Sequence, residues 1–144
     1  MNFNKNELLN SLSDRAEEHI RIAVSNFQNQ PENILHQASI AGGWSIVQCL
    51  DHLSSYGDYY LTQLHNALQN VTENNNNIVF KSGWLGNYFS NMMEPSVKKY
   101  KAVNRHYPKE NLIAASVVAK FINQQEELQM LLKKARICNL SSRI

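Results

Sequence analysis

The chain has 144 residues, 43% of them hydrophobic and 18% charged, with a formal net charge of +2. That composition belongs to one ordinary globular domain, residues 1–144, with enough chain to bury a single core, and it excludes a disordered or fibrous protein. A charge this close to balance selects no partner, and no apolar run reaches the ~20 residues that cross a bilayer.

Nucleic-acid binding needs Lys and Arg gathered on one face. The densest basic stretch, Lys98-Lys99-Tyr100-Lys101 through Arg105, is short and reads as a solvated loop. Neither a nucleic acid nor a membrane is expected as a partner. The first residues, Met1 to Glu7, lack the charged-then-apolar pattern of a secretory signal. Cys49 and Cys138 are too few for a disulfide framework and read as free buried thiols. The expected location is the cytoplasm.

Three stretches carry helical periodicity. In the first, Leu8, Leu12, Ala16, Ile20, Ala23 and Phe27 recur every three or four residues, which predicts a helix from about Asn4 to Gln28, ending before Pro31. The second begins after Ala41-Gly42-Gly43, with a stripe through Ile46, Leu50, Leu53, Tyr60 or Leu61, Leu64 and Leu68. Gly57 lies inside that stripe, where it permits a close helix-to-helix approach. The polar tract Thr72 to Asn77 reads as a solvated loop. Trp84 to Met93 predicts a short helix closed by Pro95. The third long helix starts after Pro108, its buried face marked by Ile113, Val117, Phe121, Gln124, Leu128, Leu131 and Ala135. Period-2 alternation is nowhere sustained, so no sheet is expected.

Only nine residues follow Ala135, or ~14 Å even if fully helical, against ~37 Å for a 25-residue helix. The chain therefore offers three full-length helices where a four-helix bundle needs four.

The most informative segment is Gly43-Trp44-Ser45-Ile46-Val47-Gln48-Cys49-Leu50-Asp51-His52-Leu53. Ser45 stands where a helix start needs a hydroxyl acceptor. On a helix, Ser45, Gln48, His52 and Ser55 or Tyr56 share a polar face flanked by apolar residues. A neutral imidazole at His52 is a possible ligand for a divalent metal. A lone histidine on such a helix is more often a hydrogen-bonded packing residue than a ligand, and Tyr56 or Tyr59 is placed to be its partner.

That segment resembles the one that opens the second helix of the DinB-like superfamily. Lys81 to Phe89, Lys101 to Pro108 and Phe121 to Leu128 are also similar to one branch of it. The resemblance implies an all-α, up-down bundle with a long crossover between its second and third helices. It implies a divalent metal, often nickel or zinc, held by three histidines. One of them matches His52, and the other two form a His-x-x-x-His pair on the last helix. Members with known activity include thiol-dependent S-transferases and isomerases, and a metal-dependent transferase or hydrolase is the enzyme reading it offers.

No His-x-x-x-His occurs in this chain. His52 and His65 are thirteen residues apart and point to different sides of one helix. The neighbours of His19 argue against an inward-facing ring. His36 and His106 have no counterpart in the family pattern. Asp51, Asp58 and Glu94 read as solvated surface charges. The chain reaches Ile144 where the family continues into its last helix, so the expected form lacks that helix and is inactive, with His52 the one metal ligand and no cofactor bound. The alternative is a non-catalytic interaction module. Without a fourth helix, an apolar groove is expected between the first and third long helices, covered in a homodimer. The sequence assigns no small-molecule substrate.

Overall fold

The computed structural model describes residues 2–40, 42–69, 71, 79–96, 101–138 and 140. Its frame is three long helices, α1 (Lys5–Asn26), α3 (Ile46–Gln69) and α5 (Ala114–Ala135). Shorter pieces join them: β1 (Asn2–Asn4), α2 (Glu32–Leu35), β2 (Val79–Lys81), α4 (Trp84–Met93) and a 3₁₀ turn at Asn104–His106. The fold is all-α with a minor two-stranded sheet. No described helix is long and apolar enough to cross a membrane. The run Thr72 to Asn77, the basic residues Lys98 to Tyr100 and the terminal Ile144 lie outside the described residues.

Local chemistry sets the helix ends. The Asn4 side chain caps α1, accepting from the backbone N–H groups of Asn6 and Glu7 at 3.0 and 3.2 Å. Gly42 and Gly43, with φ of 75° and 112°, turn the chain into α3 through conformations that a Cβ disfavours. Ser45 and Gln48 then cap α3 reciprocally. The Gln48 N–H donates to Ser45 Oγ at 3.3 Å, and the Ser45 N–H donates to Gln48 Oε1 at 2.9 Å. α4 has the bounds expected of it. α5 starts at Ala114, and its first N–H donates at 2.9 Å to the Glu32 carboxylate, supplied by α2.

Several expectations need correction. A sheet does form: β1 and β2 pair antiparallel with Phe3 opposite Phe80. Strands of three residues are too short for alternation to register as a pattern. Ile113 does not mark the buried face of α5; it precedes the helix and is 62% exposed.

α1 and α5 run antiparallel, since Lys5 reaches Arg136 while Ser13 meets Gln129. α3 runs parallel to α5. Val47 and Leu50 pack with Val117 and Phe121 at one end, and Leu61 and Leu68 pack with Leu131 and Leu132 at the other. The chain between α3 and α5 must therefore travel back along the bundle, and β2, α4 and the 3₁₀ turn lie on that crossover. The apolar groove also differs from expectation. The first and third long helices, α1 and α5, pack directly on each other, and the groove opens instead between α1 and α3, with α5 as its floor.

Lys5 is 2% exposed, and its ammonium donates to the carbonyls of Arg136 at 2.8 Å and Cys138 at 3.2 Å. These are the orphan acceptors past the end of α5, where a positive charge also meets the negative end of the helix dipole. Cys138 is buried as expected, but Cys49 is exposed. Cys49 lies on the side of α3 turned away from Val47 and Leu50, which the apolar stripe takes into the core.

Between the two apolar clusters sits a polar tie. Gln124 is 8% exposed, and its amide nitrogen donates to the Ser54 carbonyl at 3.0 Å and to Asp58 Oδ1 at 2.8 Å. A Cβ on Gly57 would overlap that amide. Gly57→Ala is expected to cost about 1–2 kcal/mol in urea unfolding, because the amide must leave its acceptors or clash. In a Gln124→Ala chain the same substitution should be neutral or stabilising, since only the helix preference for Ala, ~1 kcal/mol, then acts. Equal effects in both backgrounds would refute the tie.

The Ala114 N–H holds the Glu32 carboxyl below the usual carboxylate range, aided by His36 at 3.5 Å. A lowered folded-state pKa means stability that is present above the unfolded pKa and lost as pH falls through the folded one. Acid titration of Glu32→Gln should accordingly show a shallower loss of stability over that window than the parent chain.

Candidate functional site

α3 presents three faces. Val47, Leu50 and Leu61 face α5, which at 100° per residue turns His52 to the far side of the helix. His52 is half-buried there because the crossover returns over it. Its Nδ1 lies 2.6 Å from the carbonyl oxygen of His106. Its ring sits between Trp44, with centroids 4.9 Å apart, and the edge of Tyr56, 5.1 Å away. Tyr56 stacks on the His106 ring at 3.8 Å, and Trp44 meets Tyr107 edge-on at 5.5 Å. The hydrogen bond expected between His52 and a tyrosine is thus replaced by ring packing, and a backbone carbonyl accepts the imidazole N–H.

The hydrogen bonds fix both ring tautomers. A carbonyl only accepts, so His52 Nδ1 carries the proton and Nε2 holds the lone pair in the neutral ring. Ser55 Oγ donates its one proton to the His52 carbonyl at 2.6 Å and so can only accept from His106 Nδ1, 2.8 Å away. His106 is therefore also an Nδ1–H tautomer. Two imidazoles, one from α3 and one from the 3₁₀ turn over it, thus carry their neutral-ring lone pairs at Nε2. A carbonyl-bonded Nδ1–H is the support that metal-binding histidines commonly have.

Among the described residues no further ligand joins His52 and His106. A closed site needs three or four ligands, and among the described residues no group of three His, Cys, Asp or Glu is placed to hold an ion. The carboxylates read as solvated are all engaged elsewhere. Asp51 accepts from the Lys109 N–H at 2.9 Å, Asp58 pairs with Lys120 at 2.6 Å, and Glu94 pairs with Arg15 at 2.9 Å. His36 lies beside Glu32, and His65 meets Gln69 Nε2 at 2.8 Å. His19 is exposed, as expected, with Nδ1 3.4 Å from Gln125 Oε1. Of the polar face, Ser45 and Gln48 are consumed by the helix cap, and His52, Ser55 and Tyr56 are drawn together by His106. Of the basic stretch, Lys101 is exposed and Arg105 lies over the Tyr59 ring at 5.4 Å.

His106 is the residue that sequence reasoning missed. It lies 51 and 54 positions from its partners in an irregular segment, where periodicity carries no information. The available signal was the cluster of tyrosines at 56, 59 and 60, more aromatic surface than a solvated helix face needs.

The second feature is the groove between α1 and α3. Its upper half, about 420 Å³, runs past Arg15, His19, Leu53, Tyr56 and Tyr60. Its lower half, about 330 Å³, is walled by Leu, Val, Ala and Phe side chains down to Phe80. Leu12, Leu64 and Leu128 line both halves, so the groove is continuous along the bundle.

No protein-family model, curated protein or solved structure matches this chain.

The tautomers are open to measurement. Nitrogen shifts and long-range couplings at neutral pH should show Nδ1–H at both His52 and His106. Ser55→Ala should perturb His106 while His52 keeps its tautomer. A protonated Nε2 on neutral His52 would contradict the assignment.

Proposed function

We propose that this chain is a DinB-like helical domain that acts by binding, as a self-associating module, and that it carries one histidine of a divalent-metal site without completing it. The continuous apolar groove between α1 and α3 is the observation that carries this reading. Leu12, Leu53, Tyr60 and Leu64 on its walls are 38%, 51%, 55% and 36% exposed, on a surface where apolar side chains normally stand singly. A contiguous patch of this kind marks a contact surface, and a helix is the element whose shape fits a cleft between two helices. A second copy of the chain is the partner proposed, in a closed two-fold dimer. A reducing, cytoplasmic setting agrees with Cys49 and Cys138 standing as free thiols.

The enzyme reading has one specific observation in its favour, the carbonyl-bonded His52 Nδ1–H with its lone pair at Nε2. It lacks two ligands, so no catalytic step is derived from it.

Light scattering at micromolar concentration should report a dimer. Leu12→Glu combined with Leu64→Glu should convert it to a monomer with unchanged far-ultraviolet dichroism, both positions being partly exposed in the single chain. A parent chain that is monomeric, or one that purifies with stoichiometric nickel or zinc, would overturn the proposal.

A further inference from the structure

α4 is helical without being packed. Trp84, Leu85, Tyr88, Phe89 and Met93 are 82%, 50%, 61%, 48% and 63% exposed, and no residue of the helix is buried. An isolated ten-residue helix is marginal in water, and this one carries no charged residue within it to hold a solvated face. Its place in the fold is nevertheless fixed at both ends. β2, immediately before it, pairs with β1 at the foot of α1, and Glu94, immediately after it, bridges to Arg15. Phe80 and Arg15 both line the groove. α4 therefore stands along the α1 rim of the groove with its large side chains directed away from its own bundle.

We infer that the helix filling the groove is α4 of a second copy, exchanged reciprocally across a two-fold axis. The inference rests on the self-association proposed above and names the segment that performs it. Among the described residues each chain shows an apolar groove and an exposed apolar helix, and a single symmetric contact covers both pairs. The lengths agree. Ten residues make a helix of ~15 Å, and the α1 residues lining the groove, Leu8 to His19, rise ~17 Å. The area agrees as well. Aromatic side chains offer about 150–250 Å² each, so Trp84, Tyr88 and Phe89 from two copies, with the groove surface they cover, approach the ~1,600 Å² of a standard stable interface. Closing over its own groove would require α4 to roll on its tethers, whereas a second copy can meet the side chains as they already stand.

Disulfide trapping tests this in a Cys49→Ser background. One chain carries Phe89→Cys or Met92→Cys, the other carries Leu12→Cys or Leu64→Cys, and the two are mixed and oxidised. The expected product is a covalent dimer holding one chain of each kind. Trp84→Glu with Phe89→Glu should weaken dimerisation at least tenfold, with unchanged far-ultraviolet dichroism. A dimer that forms none of these disulfides and tolerates the α4 substitutions would overturn this inference and leave self-association standing. A disulfide formed within one chain carrying both cysteines, in a monomer, would show α4 covering its own groove and overturn it too. A monomeric parent chain would remove both proposals.

Discussion

Gln124 sends its carboxamide across the α3–α5 interface at the one position, Gly57, where α3 has no Cβ. Both amide hydrogens are taken, one by the Ser54 carbonyl and one by Asp58, which also holds Lys120. A buried donor left without a partner costs about 1–3 kcal/mol. A slide of one helical turn would strand the amide and drive it into a side chain. The apolar clusters on either side of this layer, built mostly from Leu, Val, Ile and Ala with Phe121, make contacts without a directional requirement and so specify register less sharply. Apolar burial therefore makes the three helices associate, while the Gln124–Gly57 contact sets the register of α3 on α5 and the Ser13–Gln129 pair with Lys5 sets that of α1.

That register determines what happens on the outside of α3. Because α3 and α5 run parallel, the chain must traverse the bundle between them, and it is pinned along the way. The β1–β2 pair holds it at one end, Glu94 rests on Arg15 midway, and Lys109 donates to Asp51 near the start of α5. The 3₁₀ turn falls between the last two anchors and lays His106 on Ser55 and Tyr56. The His52 tautomer is in this sense set by the crossover, since the carbonyl that takes its proton belongs to a residue 54 positions away. Burial of the ring by Trp44 and Tyr56 then holds the imidazole plane.

Much of the frame was legible in the sequence, because its helices are long and amphipathic. α1 came within two residues at either end, α4 matched its bounds, and Gly57 was recognisable as a point of close approach. α5 starts after Pro108 as expected, but Ile113 falls just outside it as the N-cap, because the carboxylate that takes the first N–H, Glu32, lies far off in α2. The sheet was missed because three-residue strands leave no alternation to detect. The groove was placed on the wrong side because periodicity reveals that a helix has an apolar face but not which neighbour takes it. At the site, His52 stood out through its local motif, while His106 was invisible. Asp58 and Glu94 are surface carboxylates as expected, 56% and 52% exposed. What the sequence could not show is the pairing of Asp51, Asp58 and Glu94 with Lys109, Lys120 and Arg15, which only the fold brings to them.

The imidazole cluster and the groove impose different demands on the chain. The first is internally satisfied: both Nδ1 protons have acceptors, the rings are packed, and the free Nε2 lone pairs need nothing further for the fold to stand. The groove and α4 are the reverse, since each leaves apolar surface in water that a contact would remove. Hydrophobic burial scales with area and has no directional requirement, so the larger driving force toward a partner lies with the groove and α4, whereas His52 and His106 supply direction without comparable area. A histidine held by a carbonyl of the crossover and an apolar cleft between α1 and α3 are then compatible features of one scaffold, since the ring is satisfied from one side of α3 and the cleft opens on another.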